Sequence, residues 1–99
     1  MTFKLIPTQQ AANDLYELKN NPAMKAQCKA VEKALGYMEV NLKHPGLNTH
    51  EHTALSRKHG VKILESYAQN NTPGAYRIFW HYGPGKGEIT VLAIVKHPD

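Results

Sequence analysis

The sequence predicts an α+β fold in which an N-terminal strand and an antiparallel helical hairpin pack on one face of an antiparallel sheet, in the order β-α-α-β-β-β. Three observations lead to this class. An apolar stripe of helical period runs through residues 22–42, three strand-like segments follow residue 60, and short turn-rich segments separate these strands. The 99 residues fit one domain, 1–99, with a single modest core.

The N-terminal part of the sequence is predicted to form one strand and the start of the helical hairpin. Residues 2–7 form the candidate strand, which Pro7 closes. Thr8 can then cap a helix over residues 9–20, where apolar side chains recur at helical spacing. Asn21 and Pro22 begin the second helix, because proline at the first helical position loses no hydrogen bond. Two helices joined by so short a turn are expected to form an antiparallel pair.

The second helix carries the clearest pattern in the chain. Its apolar side chains recur at steps of three and four over about five turns, which predicts a face buried in the core. These side chains are Met24, Cys28, Val31, Leu35, Met38 and Leu42. The sequence His44-Pro45-Gly46 is expected to end the helix. The polar residues 43–60 that follow are predicted to be a loop.

The C-terminal part predicts a three-stranded antiparallel meander. Its strands are expected at residues 61–69, 75–82 and 88–95, with the turn sequences NNTPG and GPGKG between them. The glycine-rich segment GPGKG lacks the GK[ST] ending of a phosphate-binding loop, so it is interpreted as a hairpin loop.

An arginine in the middle strand poses the main functional question. Alternation along AYRIFWHY puts Ile78 with three aromatic side chains on the predicted core face, and Arg77 with Phe79 and His81 on the opposite, accessible face. A guanidinium there needs a carboxylate partner or an anionic ligand. Two readings stay open: an exposed site for phosphate, or a structural ion pair with Glu65 of the neighbouring strand.

Charge and composition limit the possible functions. The net charge is +4, and residues 41–99 hold seven Lys or Arg against four acids. Such a basic surface suits a polyanion or an acidic partner, or merely keeps a small protein soluble. A single cysteine, no membrane-spanning apolar run and no signal-peptide pattern indicate a cytosolic protein without a membrane partner.

Several side chains are candidates for chemistry on this sheet. Glu65 and Tyr67 share a strand face and could act as general base and hydrogen-bond donor. His97, where the last strand ends, could protonate a leaving oxygen or could simply be solvated. His50 and His52 have HxH spacing, but Ala54 stands where an HExxH zinc motif needs its second histidine. No metal and no cofactor is predicted.

From the first strand to Lys96, the chain resembles the RelE/ParE superfamily of bacterial toxins. The resemblance is strongest in Tyr76-Arg77-Ile78, the hairpin and the closing ITVLAIVKH. It implies a type II toxin that a partner antitoxin neutralises. RelE-like members cleave mRNA on the ribosome, whereas ParE-like members poison DNA gyrase without known RNA cleavage. A third possibility is a non-catalytic RNA- or protein-binding module of the same fold.

The resemblance also implies roles for individual residues. Arg77 matches the arginine that holds the scissile phosphate, and Lys96 with His97 matches the basic pair that closes the last strand. Glu65, Tyr67 and Lys62 fall in the strand that supplies further catalytic or RNA-binding groups. This chain departs from several RNase members because no tyrosine follows its last strand and because Leu64, Glu65 and Ser66 replace lysines.

The expected chemistry is metal-independent. Glu65 or His81 would take the proton of the attacking 2′-OH, and His97 would protonate the 5′-oxygen. Arg77 and Lys96 would offset the charge on the phosphate.

Overall fold

The computed structural model describes residues 2–70 and 72–97. Its helices and strands are β1 (Lys4–Pro7), α1 (Gln9–Lys19), α2 (Lys25–Val40), β2 (His50–Glu51), α3 (Thr53–His59), β3 (Leu64–Tyr67), β4 (Tyr76–Tyr82) and β5 (Glu88–Lys96). The predicted NNTPG turn lies partly outside the described residues, at Asn71. Within the described ranges, no helix is both long enough and apolar enough to cross a bilayer.

The strands of the described residues form one sheet in the order β1-β5-β4-β3-β2. The meander β3-β4-β5 is antiparallel, as predicted, and its β4–β5 hairpin loop begins and ends with glycines of positive φ, Gly83 and Gly87. The N-terminal strand β1 pairs parallel with β5, so the sheet is mixed. The α+β class with its helices packed on the sheet is confirmed. The sequence does not predict the parallel pairing of β1 with β5, because the strand that pairs with β1 is determined by tertiary structure.

The helical hairpin begins at the predicted caps. Thr8 Oγ1 accepts a hydrogen bond from Ala11 N at 3.1 Å and donates one to Leu92 O at 2.9 Å, which ties the start of α1 to the sheet. Asn21 Oδ1 accepts from Ala23 N at 3.1 Å and opens a 3₁₀ turn, Pro22–Met24, that leads into α2. The predicted start of α1 is therefore confirmed, whereas Asn21 and Pro22 start the 3₁₀ turn and α2 itself begins at Lys25.

The core lies between the helical hairpin and one face of the sheet. Val31 and Met38 of the α2 stripe are fully buried, as the stripe predicts. They belong to one apolar cluster with the sheet residues Ile78, Trp80, Ile89, Val91 and Ile94. The core face that alternation assigned to β4 is confirmed for Tyr76, Ile78 and Trp80, whereas Tyr82 at the end of the strand is 56% exposed. The other face of the sheet points away from the hairpin.

The buried indole of Trp80 has a polar partner within this core. Its Nε1 donates to Ser66 Oγ at 2.8 Å, and Ser66 Oγ lies 2.7 Å from Thr49 Oγ1. Ser66 is itself fully buried, so this chain of hydrogen bonds links β3 and β4 to the segment that precedes β2.

The prediction of a loop over residues 43–60 is wrong. This segment contains the two-residue strand β2 and the seven-residue helix α3, which are too short for a periodic signal. Local hydrogen bonds stabilise α3: His52 Nδ1 accepts from Leu55 N at its start, and Gly60, with a φ of 72°, ends it. Ser56 Oγ accepts from Ile63 N at 2.8 Å, which joins α3 to the start of β3.

Tyr76 lies on the core face at the start of β4, beneath α1. Its side chain is buried, and it borders a hollow that Asp14 and Glu17 of α1 also line. Burial raises the pKa of Tyr76 above its usual 10.0, and the negative charges of Asp14 and Glu17 raise it further. The native state therefore keeps the phenol proton at pH values where the unfolded chain loses it.

We predict that Ser66→Ala destabilises the protein by about 1–3 kcal/mol, because it leaves the Trp80 N–H buried without an acceptor. The free energy of unfolding from urea titrations measures this loss. In a Trp80→Phe background the same change should cost clearly less, since the unsatisfied donor is gone. Equal costs in the two backgrounds would show that this hydrogen bond does not stabilise the core.

We also predict that stability falls as the pH rises above about 10, partly because unfolding releases the Tyr76 proton. Tyr76→Phe should flatten this decline in urea titrations between about pH 9 and pH 11. Tyr16→Phe is the matched control, because the Tyr16 side chain is 69% exposed. The same slope in the Tyr76→Phe protein and the wild type would exclude a contribution from Tyr76.

Candidate functional site

The sheet face away from the helical hairpin gathers polar side chains from β3 and β4. The register aligns Tyr67 with Arg77 and Glu65 with Phe79, so these four side chains lie on the face opposite Ile78. This confirms the predicted division of β4 into two faces. It also resolves the register of Glu65 and Tyr67 relative to Arg77.

Arg77 is enclosed on this face. Its residue is 7% exposed, and its guanidinium carbon lies 3.6 Å from the centroid of the Tyr67 ring. Nη1 donates to Gln69 O at 2.6 Å and to Tyr76 O at 3.3 Å. The expectation of an accessible guanidinium is therefore wrong, because the neighbouring strand covers it with an aromatic ring.

The carboxylate of Glu65 neutralises this buried guanidinium. Arg77 Nε lies 3.3 Å from Glu65 Oε2, and Glu65 is only 5% exposed. The distance is that of an ion pair, although the N–H of Nε is not oriented for a hydrogen bond. Of the two readings left open by the sequence, the structure contains the cross-strand ion pair.

The second oxygen of Glu65 contacts His50, which sequence reasoning considered only for a metal. His50 stands opposite Glu65 in the β2–β3 pairing, and its Nε2 lies 3.2 Å from Glu65 Oε1. Its Nδ1 lies 2.9 Å from Asn48 O, and its ring meets the Tyr67 ring edge-on at 5.7 Å. The His50 side chain is 47% exposed, so it forms the solvent side of the cluster.

We name Glu65, Arg77, His50 and Tyr67 the Glu65 cluster. A buried carboxylate between a guanidinium and an imidazole keeps a fixed position, because both of its oxygens face cationic or protonatable groups. Such a carboxylate can accept a proton from a hydroxyl that reaches it, and the imidazole can move a proton to solvent. The arrangement therefore has the groups needed for general acid–base chemistry.

The two histidines of the HxH motif diverge. His50 turns to Glu65, whereas the His52 ring packs against Phe79 at 5.7 Å. Within residues 2–70 and 72–97, no group of three or more His, Cys, Asp or Glu side chains is arranged to hold a metal ion.

Lys96 is separated from the cluster. It pairs with Tyr76, the residue of β4 whose side chain faces the helices, and it borders the same hollow as Asp14 and Glu17. Its side chain therefore stands on the face of the sheet opposite Arg77. The predicted pairing of Arg77 and Lys96 at one phosphate is not compatible with this geometry.

His97 follows β5 and is tied by its backbone to the residues that precede β4. Its backbone N donates to Ala75 O at 2.7 Å, just before the strand residue Arg77, and its side chain is exposed. It therefore stands at the end of the sheet where Tyr67 and Arg77 meet.

His81 and Lys62 lie away from the centre of the cluster. His81 shares the face of Arg77 and lies four residues beyond it along β4, but only two residues beyond Phe79, the strand partner of Glu65. Its Nδ1 is 2.8 Å from Tyr82 O. Lys62 precedes β3 and borders a hollow beside α3 with Arg57.

Comparisons with known proteins identify the fold. No family model matches the chain, and no curated protein matches its sequence. A solved structure, the YoeB/ParE toxin from Agrobacterium tumefaciens, aligns with a TM-score of 0.70 over 97% of this chain and 100% of that chain, at 9% identity. The chain therefore has the fold of that structure, in agreement with the architecture that the resemblance to the RelE/ParE superfamily predicts. At this identity the likeness shows the fold alone.

We predict that breaking the buried ion pair destabilises the protein more than removing it entirely. Glu65→Leu or Arg77→Met alone should each lower the free energy of unfolding by about 3–5 kcal/mol, because each leaves a buried charge without its partner. The double variant should lose less than either single variant, because it leaves no buried charge without a partner. Urea titrations of the three variants and the wild type measure the coupling.

The exposed pair between Lys19 and Glu32, 3.8 Å apart, is the control. Removing either partner there should change stability by less than about 1 kcal/mol. If the Glu65 and Arg77 losses add without coupling, the two charges are not a stabilising pair.

Proposed function

We propose that this chain is a type II toxin that cleaves mRNA on the ribosome and is neutralised by a cognate antitoxin. The RelE/ParE-type fold supports the toxin assignment. The Glu65 cluster, on the sheet face that the hairpin leaves uncovered, supports an acid–base reaction. The observation that carries the proposal is the position of Glu65 between a buried guanidinium and a half-exposed imidazole.

In the proposed reaction, the ribose 2′-oxygen attacks the adjacent phosphorus and the bond from phosphorus to the 5′-oxygen breaks. The products are a 2′,3′-cyclic phosphate and a 5′-hydroxyl. Glu65 takes the 2′-OH proton at Oε1, the oxygen on the His50 side. His97 gives a proton to the leaving 5′-oxygen, so the proton count balances.

Access to Glu65 requires His50 to give way, because Glu65 itself is nearly buried. Arg77 holds Glu65 in place and adds positive charge beneath the site, where the phosphate becomes more negative in the transition state. Tyr67, above the guanidinium, offers an aromatic ring for an unpaired base. His81 takes no part in this proposal, because its Nδ1 is already engaged 2.8 Å from Tyr82 O.

A second candidate function is non-enzymatic toxicity. The internal carboxylate already neutralises Arg77, and a purely structural ion pair would have the same geometry. This observation favours a ParE-like inhibitor of DNA gyrase, or a module of the same fold that binds RNA or protein without cleaving anything. In that case the Glu65 cluster stabilises the sheet and another surface binds the target.

We predict that Glu65→Gln slows single-turnover cleavage of ribosome-bound mRNA by about 10²–10⁴-fold, the usual contribution of a general base. Primer extension on programmed ribosomes measures the rate, and thermal unfolding checks that the variant folds. His97→Gln should also slow cleavage, whereas His81→Gln should not. An unchanged rate in Glu65→Gln would exclude Glu65 as the base.

Glu39→Gln is the matched control, because Glu39 is an exposed carboxylate on α2, in the helical hairpin on the other face of the sheet. It should cleave at the wild-type rate. A gyrase supercoiling assay with the wild-type protein runs in parallel. Gyrase inhibition without any mRNA cleavage would support the second candidate and overturn the first.

A further inference from the structure

A hollow on the helix side of the sheet gathers charged side chains that the proposed reaction does not use. It measures about 320 Å³ and lies between α1 and the adjoining ends of β4 and β5. Helix α1 contributes Asp14 and Glu17, β4 contributes Tyr76, and β5 contributes Lys96. Apolar side chains line the rest of it, among them Leu18, Met24 and Ile94. The hollow shares no residue with the Glu65 cluster.

The two carboxylates of this hollow have no cationic partner. Of the ion pairs among the described residues, none includes Asp14 or Glu17. The two acids stand three residues apart on one face of α1, where like charges repel each other. Glu17 also lies in the last turn of α1, where the helix dipole disfavours negative charge. Helix stability therefore does not account for these acids, and a bound positive group would stabilise both.

The carboxylate of Asp14 is held in a fixed orientation. Its Oδ2 accepts a hydrogen bond from Ile94 N at 2.9 Å, and its Oδ1 accepts one from Gln10 Nε2 at 2.7 Å. The first of these bonds ties α1 to β5 beyond Val91, where the pairing with β1 ends. A carboxylate has about four acceptor positions, so Asp14 can accept further donors while both bonds remain.

The hydroxyl of Tyr76 is a further polar group without a partner at this hollow. Tyr76 is 8% exposed, and in the part of the chain that the structure describes its hydrogen bonds involve only backbone atoms. Burial and the charges of Asp14 and Glu17 raise the pKa of this phenol, so it is a hydrogen-bond donor at neutral pH. A buried hydroxyl without a partner costs free energy, which a polar ligand in the hollow would offset.

Lys96 adds a positive charge to the same hollow. Its side chain is exposed, and within residues 2–70 and 72–97 it forms no ion pair, so it does not pair with Asp14 or Glu17 across the hollow. The lining therefore presents two carboxylates, an ammonium group, a phenol and an apolar surface. Its volume is at the lower end of the range of about 300–1,000 Å³ for small-molecule sites, so it suits a small ligand that carries both charges.

We propose that this hollow binds a free α-amino acid with an apolar side chain. Asp14 and Glu17 accept hydrogen bonds from the ammonium group of the ligand, and Lys96 and the Tyr76 hydroxyl donate to its carboxylate. The side chain of the ligand packs against the apolar part of the lining. This inference is independent of the proposed cleavage, because the hollow and the Glu65 cluster lie on opposite faces of the sheet.

Heteronuclear NMR titration of the full chain tests this site with four probes, L-valine, L-leucine, L-methionine and L-phenylalanine. At least one probe should shift the backbone amide signals of Leu18, Ile94 and Lys96 in a saturable manner, with a Kd below about 10 mM. The shifts locate the ligand and their concentration dependence gives the Kd. The absence of saturable shifts at these residues for all four probes would overturn the inference.

Variants of the lining test which side chains hold the charges of the ligand. Glu17→Gln and Lys96→Gln should each raise the Kd of the tightest probe at least about 10-fold, because each removes the partner of a charged ligand group. Glu39→Gln is the matched control, because it removes an exposed carboxylate of α2 outside the hollow, and it should keep the wild-type Kd. Thermal unfolding checks that all three variants fold. An unchanged Kd in either lining variant would overturn the proposed site.

Two analogues of the tightest probe separate the two charges of the ligand. For L-leucine these are 3-methylbutylamine, which lacks the carboxylate, and 4-methylpentanoate, which lacks the ammonium group. Each should bind at least about 10-fold more weakly than the amino acid, because one charged group of the lining is left without a partner. An amine that binds as tightly as the amino acid would assign the hollow to a lone cation, such as a basic side chain of a partner protein, and would overturn the inference.

Discussion

The buried ion pair between Glu65 and Arg77 is the constraint on which the uncovered face of the sheet depends. Each charge is nearly removed from water, and each would be costly there without the other. The pair requires β3 and β4 to keep their register, because a slip of one strand by one residue would turn its charged side chain toward the apolar core and away from its partner. The ion pair also explains why the Tyr67 ring can cover the Arg77 guanidinium, since Glu65 already neutralises this cation.

The two sides of the sheet use different means to specify the same register. On the helix side, apolar side chains fill the core, and the hydrogen bond from Trp80 to Ser66 joins β4 to β3. On the other side, the ion pair joins the same two strands one residue away. Polar groups with defined partners on both faces leave few alternative pairings. The pairing of the central strands β3 and β4 is therefore specified from both faces of the sheet.

Much of the fold could be predicted from the sequence, because its helices and central strands are long enough to show a period. The α2 stripe, the alternation along β4 and the glycine-rich hairpin all identify their elements. The missed elements, β2 and α3, have two and seven residues and depend on local hydrogen bonds that composition does not reveal. The exposure of Arg77 was predicted wrongly for a related reason. Alternation assigns a side chain to a face but does not show what covers that face.

Glu65 is enclosed by Arg77 on one side and by His50 on the other, and the strands that carry these two residues differ in how easily they open. Arg77 belongs to a central strand with a hydrogen-bonded neighbour on each side, so the guanidinium cannot withdraw without disrupting the sheet. His50 belongs to a two-residue strand at the sheet edge, whose pairing with β3 involves His50 and Glu51. Short edge segments open locally at a much smaller cost in free energy than central strands do. In the proposed reaction, the substrate hydroxyl therefore reaches Glu65 from the side of His50.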